Sequence, residues 1–172
     1  MTLGLSLPAF TALHVIISLV AIATGVVAFY GMVTGQRLER WTVAFLATTV
    51  LTSVTGFMFP GVKVGPAFIF GVISLIVLAA AIAGRYVYHL AGAWRLTYVV
   101  GALVALYLNV VVLIVQSFQK LPFLNALAPT QSSEPPFLAA QLVVLAAFLA
   151  FGTLAARRFH PAMAVPGATA AG

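Results

Sequence analysis

The chain has 172 residues, of which 63% are apolar and only 6% charged, with a mean hydropathy of +1.18. A soluble domain carries about a quarter charged residues, so a water-soluble globule is excluded and an integral membrane protein is left. The net charge of +6 does not point to nucleic acid, because the basic residues stand singly or in pairs between apolar runs.

The residues that are missing narrow the chemistry further. There is no cysteine or aspartate, and the only glutamates are Glu39 and Glu134. Disulfides, thiolate metal sites and cysteine nucleophiles are thereby excluded. Paired carboxylates for acid–base catalysis, and the intramembrane acid typical of proton-coupled carriers, are missing too. The reading is therefore of a protein that is not an enzyme and carries no cofactor.

Five charge-free runs are long enough to span a bilayer, and every proline lies at their edges or beyond them. Proline inside a helix removes a hydrogen bond and clashes with the preceding turn, so charge and proline mark the same boundaries. The expected fold is all-α: a bundle of five transmembrane helices near 9–33, 41–59, 66–88, 94–118 and 137–157. Residues 1–160 form one bundle, and 161–172 read as a disordered cytoplasmic tail.

The first span lacks a basic leader and is longer than a signal-peptide core, so it reads as uncleaved. One face carries His14, Ser18, Ala21, Gly25, Ala28 and Met32, whose small residues allow close helix packing. The second span carries Trp41, Phe45, Thr48, Thr52, Thr55 and Phe59, with Thr49, Ser53 and Gly56 beside them. Threonine bonds its own helix backbone one turn back, so this stripe need not line a polar path. The third offers Gly71 and Ser74 at one end and Ala80, Ala83 and Gly84 at the other. His89 follows, beside Tyr88 and Arg85, at headgroup level.

The fourth span contains the longest informative run, Leu96 to Gln119, 24 residues without a charge. Tyr98, Ala102, Ala105, Asn109, Val112 and Gln116 fall on one face at helical spacing. That small and polar face is expected to meet protein, and Leu103, Leu106, Val110 and Leu113 to meet lipid. This is the helix around which the others are expected to pack. Between it and the fifth span, 119–136 form a long proline-containing loop. The fifth span opens with Gln141 and continues with Ala146, Ala150 and Gly152.

Orientation follows from the basic residues. With the N-terminus outside and the C-terminus cytoplasmic, the inner side holds Arg37, Arg40, Arg85, Arg95, Arg157 and Arg158, and the outer side only Lys63 and Lys120. Trp41, Trp94, Tyr86 and Tyr88 then lie at the inner interface.

The strings FLATTVLTSVTGFMFP at 45–60, HLAGAWRLTYVVGALVALYLNVVVLIVQ at 89–116 and LAPTQSSEPPF at 127–137 carry a resemblance over most of the chain. They resemble a group of small polytopic bacterial inner-membrane proteins of unknown function. The resemblance implies the bacterial cytoplasmic membrane and carries over no functional residue.

Depth can be compared between helices once topology is set. His14, Thr55, Gln116 and Gln141 all fall within about 8 Å of the outer interface at about 1.5 Å of rise per residue. Asn109 lies deeper on the Gln116 face. These five are the candidate ligand-binding residues, expected to be roofed by the loop that carries Glu134. Two readings stay open. In one, such polar groups simply bond one another and hold helices together, in an accessory or assembly subunit that packs on itself as a homo-oligomer or on a membrane partner. Alternatively they line a shallow pocket for a small lipophilic molecule, a quinone or lipid, because neither cation nor acid faces it. No haem or metal site is expected: His14 and His89 lie at opposite ends of the bundle and cannot ligate one iron, and His14 with Glu134 are two ligands, too few for zinc.

Overall fold

The computed structural model of the protein describes residues 2, 4–61, 64–131 and 133–160, so Lys63 and the expected tail 161–172 lie outside the described residues. Among the described residues the chain is all-helical: α1 (Leu7–Thr34), α2 (Glu39–Phe57), α3 (Pro66–Ile82, continued by a π turn Ala83–Val87), α4 (Ala93–Lys120), α5 (Pro122–Leu127) and α6 (Pro135–Arg158).

Local sequence sets the helix ends. Ser6 caps α1, its Oγ accepting from the Ala9 N–H at 3.4 Å. Proline opens α3, α5 and α6, where its missing N–H costs nothing. Gly35 closes α1 in the left-handed conformation at φ 73°, with its N–H bonded back into the last turn. At the far end of α3 the helix widens into the π turn, and His89 and Leu90 follow at φ 48° and 62°. The Leu90 N–H reaches the Gly84 carbonyl at 2.8 Å, which closes the turn before α4 begins.

Four helices, α1, α3 with its π turn, α4 and α6, are long and apolar enough to cross a membrane. The remaining long helix, α2, has 19 residues and is more polar. It packs against α1 along its length and also meets α3. Sequence neighbours are spatial neighbours, and the ring closes as α1–α2–α3–α4–α6–α1. Half of the most apolar stretch of α4 is buried, against 6% for α6, so α4 is the central element and α6 the peripheral one.

That centrality corrects the expected lipid face of α4. Leu103 and Leu106 are buried, at 9% and 1% exposure, while Leu96 and Val100 are exposed. With α1, α2, α3 and α6 all against α4, its exposed side in the first half runs through Leu96 and Val100 instead. Leu113, further along, is exposed as anticipated.

The bundle has two unlike halves. One end gathers Arg37, Arg40, Arg85, Arg95, Arg157 and Arg158 and is tightly packed. There Arg85 pairs with Glu39, and Arg95 Nη1 donates to the Ala156 and Phe159 carbonyls at 2.8 and 2.9 Å, tying α4 to the end of α6. Tyr88 and Trp94 stack at 3.8 Å. Buried Phe45, Leu78, Tyr98, Val99, Leu106 and Phe159 make the core of this half. At the other end a smaller cluster, Phe118, Ala128 and Phe137, fastens the long loop to α4 and α6.

Candidate functional site

Close packing stops at Gly25. A Cβ on that residue would lie 2.6 Å from Leu106 Cδ1 and 2.8 Å from Phe45 Cδ2, so the glycine lets α1, α2 and α4 close on one another. Beyond this plug, toward the end away from the arginines, the helices part around a cavity of about 740 Å³. Its wall comes from α1, α2, α3 and α4, with Leu121 from the segment after α4. The size is that of a small-molecule site, and so is the composition, mostly apolar with a few polar groups.

The polar groups sit in tiers. α2 and α4 run in the same direction, so one turn outward from the Phe45 and Leu106 contact brings Thr49 and Asn109 to the same level. Thr49 Oγ1, Thr52 Oγ1 and Asn109 Nδ2 are buried and have no hydrogen-bond partner among the described residues. Thr52 and Asn109 line the cavity, and Thr49 lies beneath it. Buried polar groups in native proteins are paired with few exceptions, so the two orphans that line the cavity, Thr52 and Asn109, mark a place where a further polar partner fits.

Higher up, His14 on α1 meets α2. Its Nδ1 lies 2.8 Å from Thr55 Oγ1, and the Phe59 ring stands edge-on to the imidazole with centroids 5.2 Å apart. Thr55 itself bonds the Leu51 carbonyl at 2.7 Å. Ser53 on α2 reaches Ser74 on α3 at 3.3 Å. Gln116 lines the cavity from α4, one and a half to two turns above Asn109, and Lys120 stands at the rim. Rim and wall residues of α1 and α4 are exposed, among them Val15, Leu19, Leu113 and Gln116.

Of the five residues singled out from sequence, the structure brings His14, Asn109 and Gln116 to one cavity wall, with Thr55 bonded to His14 behind it. Gln141 is not among them. It lies on α6, which the ring order places on the other side of α4. The loop carrying Glu134 does not roof the cavity either: it folds over the ends of α4 and α6 through Ala128 and Phe137.

The threonine stripe divides in two. Thr48 and Thr55 bond their own helix, at 2.6 and 2.7 Å, whereas Thr49 and Thr52 do not. Sequence reasoning put Phe59 on the threonine face of the second span but missed the other rings of the wall, Phe57, Phe68 and Phe70. Their clustering around the α2–α3 connection was the available signal. His89 is exposed in the turn before α4, at the arginine-rich end. Among the described residues no three His, Asp or Glu side chains converge as a metal site requires. No protein-family model matches the chain, and neither does any curated protein or solved structure.

Proposed function

We propose that this is a five-span protein of the bacterial cytoplasmic membrane that binds or carries a small lipophilic molecule in the outer half of its bundle. The observation that carries the reading is the cavity itself, an apolar space of about 740 Å³ with unpartnered polar atoms at its floor. Among the described residues no acid lines it and Lys120 at the rim is a lining cation, which suits a neutral or amphipathic occupant such as a quinone or a lipid. The exposed α1 and α4 residues along its side support entry from the outer leaflet rather than from water.

In this reading α2 is the fifth span, shielded by α1 and α3 so that its threonines need not face lipid. The N-terminus lies outside and the arginine-rich end lies in the cytoplasm. A cysteine replacing Ser133 is expected to react with an impermeant maleimide added to intact cells, and one replacing Thr34 only after the membrane is opened. The reverse pattern would invert the topology.

Val112→Trp tests the binding site. The indole is placed inside the cavity, and the expected result is loss of a co-purifying lipophile from the native mass spectrum with the unfolding temperature kept. Retention of the same bound mass would place the molecule elsewhere.

A second reading, an accessory or assembly subunit, is favoured by α6. Its outward residues Leu142, Val143, Leu149 and Phe151 are all more than half exposed, so α6 is the helix most available to a membrane partner or a second copy. Under that reading the same spectrum shows a protein adduct or an oligomer, and Val112→Trp leaves it unchanged.

A further inference from the structure

The hydrogen between His14 and Thr55 has one place to be. Thr55 Oγ1 lies 2.7 Å from the Leu51 carbonyl oxygen. Two oxygens do not approach that closely without a hydrogen between them, so the threonine gives its single hydroxyl hydrogen to Leu51. Toward His14 Nδ1, 2.8 Å away, it can only accept, and Nδ1 therefore carries a hydrogen. Among the described residues no carboxylate lines the cavity to hold a second one on the ring, and a charge inside a membrane bundle is expensive. The imidazole is neutral, and its Nε2 is an acceptor.

Nothing among the described residues donates to that nitrogen. Of the hydroxyls in the wall, Thr11 donates to the Leu7 carbonyl at 2.8 Å and Ser18 to the His14 carbonyl at 2.7 Å, and the Thr52 hydroxyl makes no hydrogen bond among the described residues. On the facing helices Ser53 is spent on Ser74. The wall thus carries a fixed acceptor on His14, with the Phe59 ring edge-on beside the imidazole. Deeper in, the Asn109 amide can donate or accept according to which way it is turned.

Resting on the carrier reading, we infer that the occupant is a lipophilic hydroquinone or phenol, and that the hydroxylated, reduced form binds in preference to the quinone. A hydroquinone gives its O–H to His14 Nε2. A quinone brings a carbonyl lone pair against the nitrogen lone pair, and the nitrogen stays desolvated and unpaired. The second ring oxygen meets the Asn109 amide, which serves either form and so does not discriminate. The proposal concerns binding alone, with no electron transfer in it.

The test is equilibrium binding of a short-chain alkyl hydroquinone and of its quinone to the full chain in detergent, under anaerobic reducing and oxidising conditions. The wild type is expected to bind the hydroquinone about tenfold more tightly, the worth of one hydrogen bond. For a two-electron couple that ratio raises the midpoint potential of the bound pair by about 30 mV. Thr55→Val removes the oxygen that fixes the tautomer, which frees the ring to donate from Nε2, and the ratio falls toward one. His14→Leu removes the acceptor and has the same effect on the ratio. Reading the ratio separates this from a general loss of fit, which weakens both forms alike. Equal affinity of the wild type for both forms overturns the inference, as does a preference that survives both substitutions. So does a co-purifying lipophile without a hydroxylated ring, and all three results leave the carrier reading standing. A chain that holds no lipophile of any kind overturns both.

Discussion

Replacing Gly101 by valine is expected to separate α3 from α4 and to lower the unfolding free energy by about 3 kcal/mol, the upper range for overpacking a close-packed seam. The reason lies in what stands opposite. A Cβ at Gly101 would lie 2.7 Å from the Val77 carbonyl oxygen and 3.1 Å from Ala81 Cβ. The first of these is backbone inside a helix. It cannot turn aside as a side chain does, so α3 must move bodily, and with it the buried Leu78 and Ala81. Gly152 is the comparison. Its Cβ would meet Leu103 Cδ1 at 3.3 Å, the end of a side chain that can rotate, so Gly152→Ala is expected to cost less than about 1 kcal/mol. Thermal unfolding in detergent reads both. A Gly101→Val protein that melts with the wild type would show that α3 and α4 are not packed as described.

The second large effect is expected at the arginine-rich end. The Arg85 side chain is 4% exposed and pairs with Glu39, which is 54% exposed. Its guanidinium lies over the Tyr98 ring at 4.9 Å. Two of its nitrogens, Nε and Nη1, are buried without a hydrogen-bond partner among the described residues. Removing one partner of such a pair leaves a cation in a place that cannot solvate it, and that penalty exceeds the net worth of the pair. Glu39→Gln is therefore expected to destabilise by about 2 kcal/mol, held to that value because solvent reaches the glutamate side. Arg85→Met added to Glu39→Gln should recover stability, since the apolar side chain keeps the packing on Tyr98 and removes the charge. Losses that simply add in the double variant would contradict this coupling.

These two seams explain how much of the molecule could be read in advance. The all-helical character follows from composition, because in hydrocarbon a helix satisfies its own backbone. Prolines at 66, 122 and 135 stand where helices begin, since at those positions the missing N–H has no partner to lose. The buried side of α4 was partly legible: Tyr98, Ala102 and Ala105 are buried on the spacing that groups them. Leu106 was not, because helical spacing sorts residues into faces without saying how many faces are covered. A shared level was legible for His14 and Thr55, which meet, and angle around the bundle was not. Counting residues from the helix ends places His14, Thr55, Gln116 and Gln141 in one layer. Only the closing of the ring decides that α6, with Gln141, stands on the far side of α4 from α2. The His14–Thr55 hydrogen bond and the orphaned Thr49, Thr52 and Asn109 atoms depend on side-chain approach across helices, which no spacing within one helix encodes.

The most direct test of the account is the native mass spectrum of the wild-type protein, extracted gently from its own membrane, with solvent extraction of the same sample to identify what was bound. The expected spectrum shows a chain carrying one discrete lipophilic mass, lost when Val112→Trp fills the cavity. A bare chain, or a chain bound only to another protein, would contradict it.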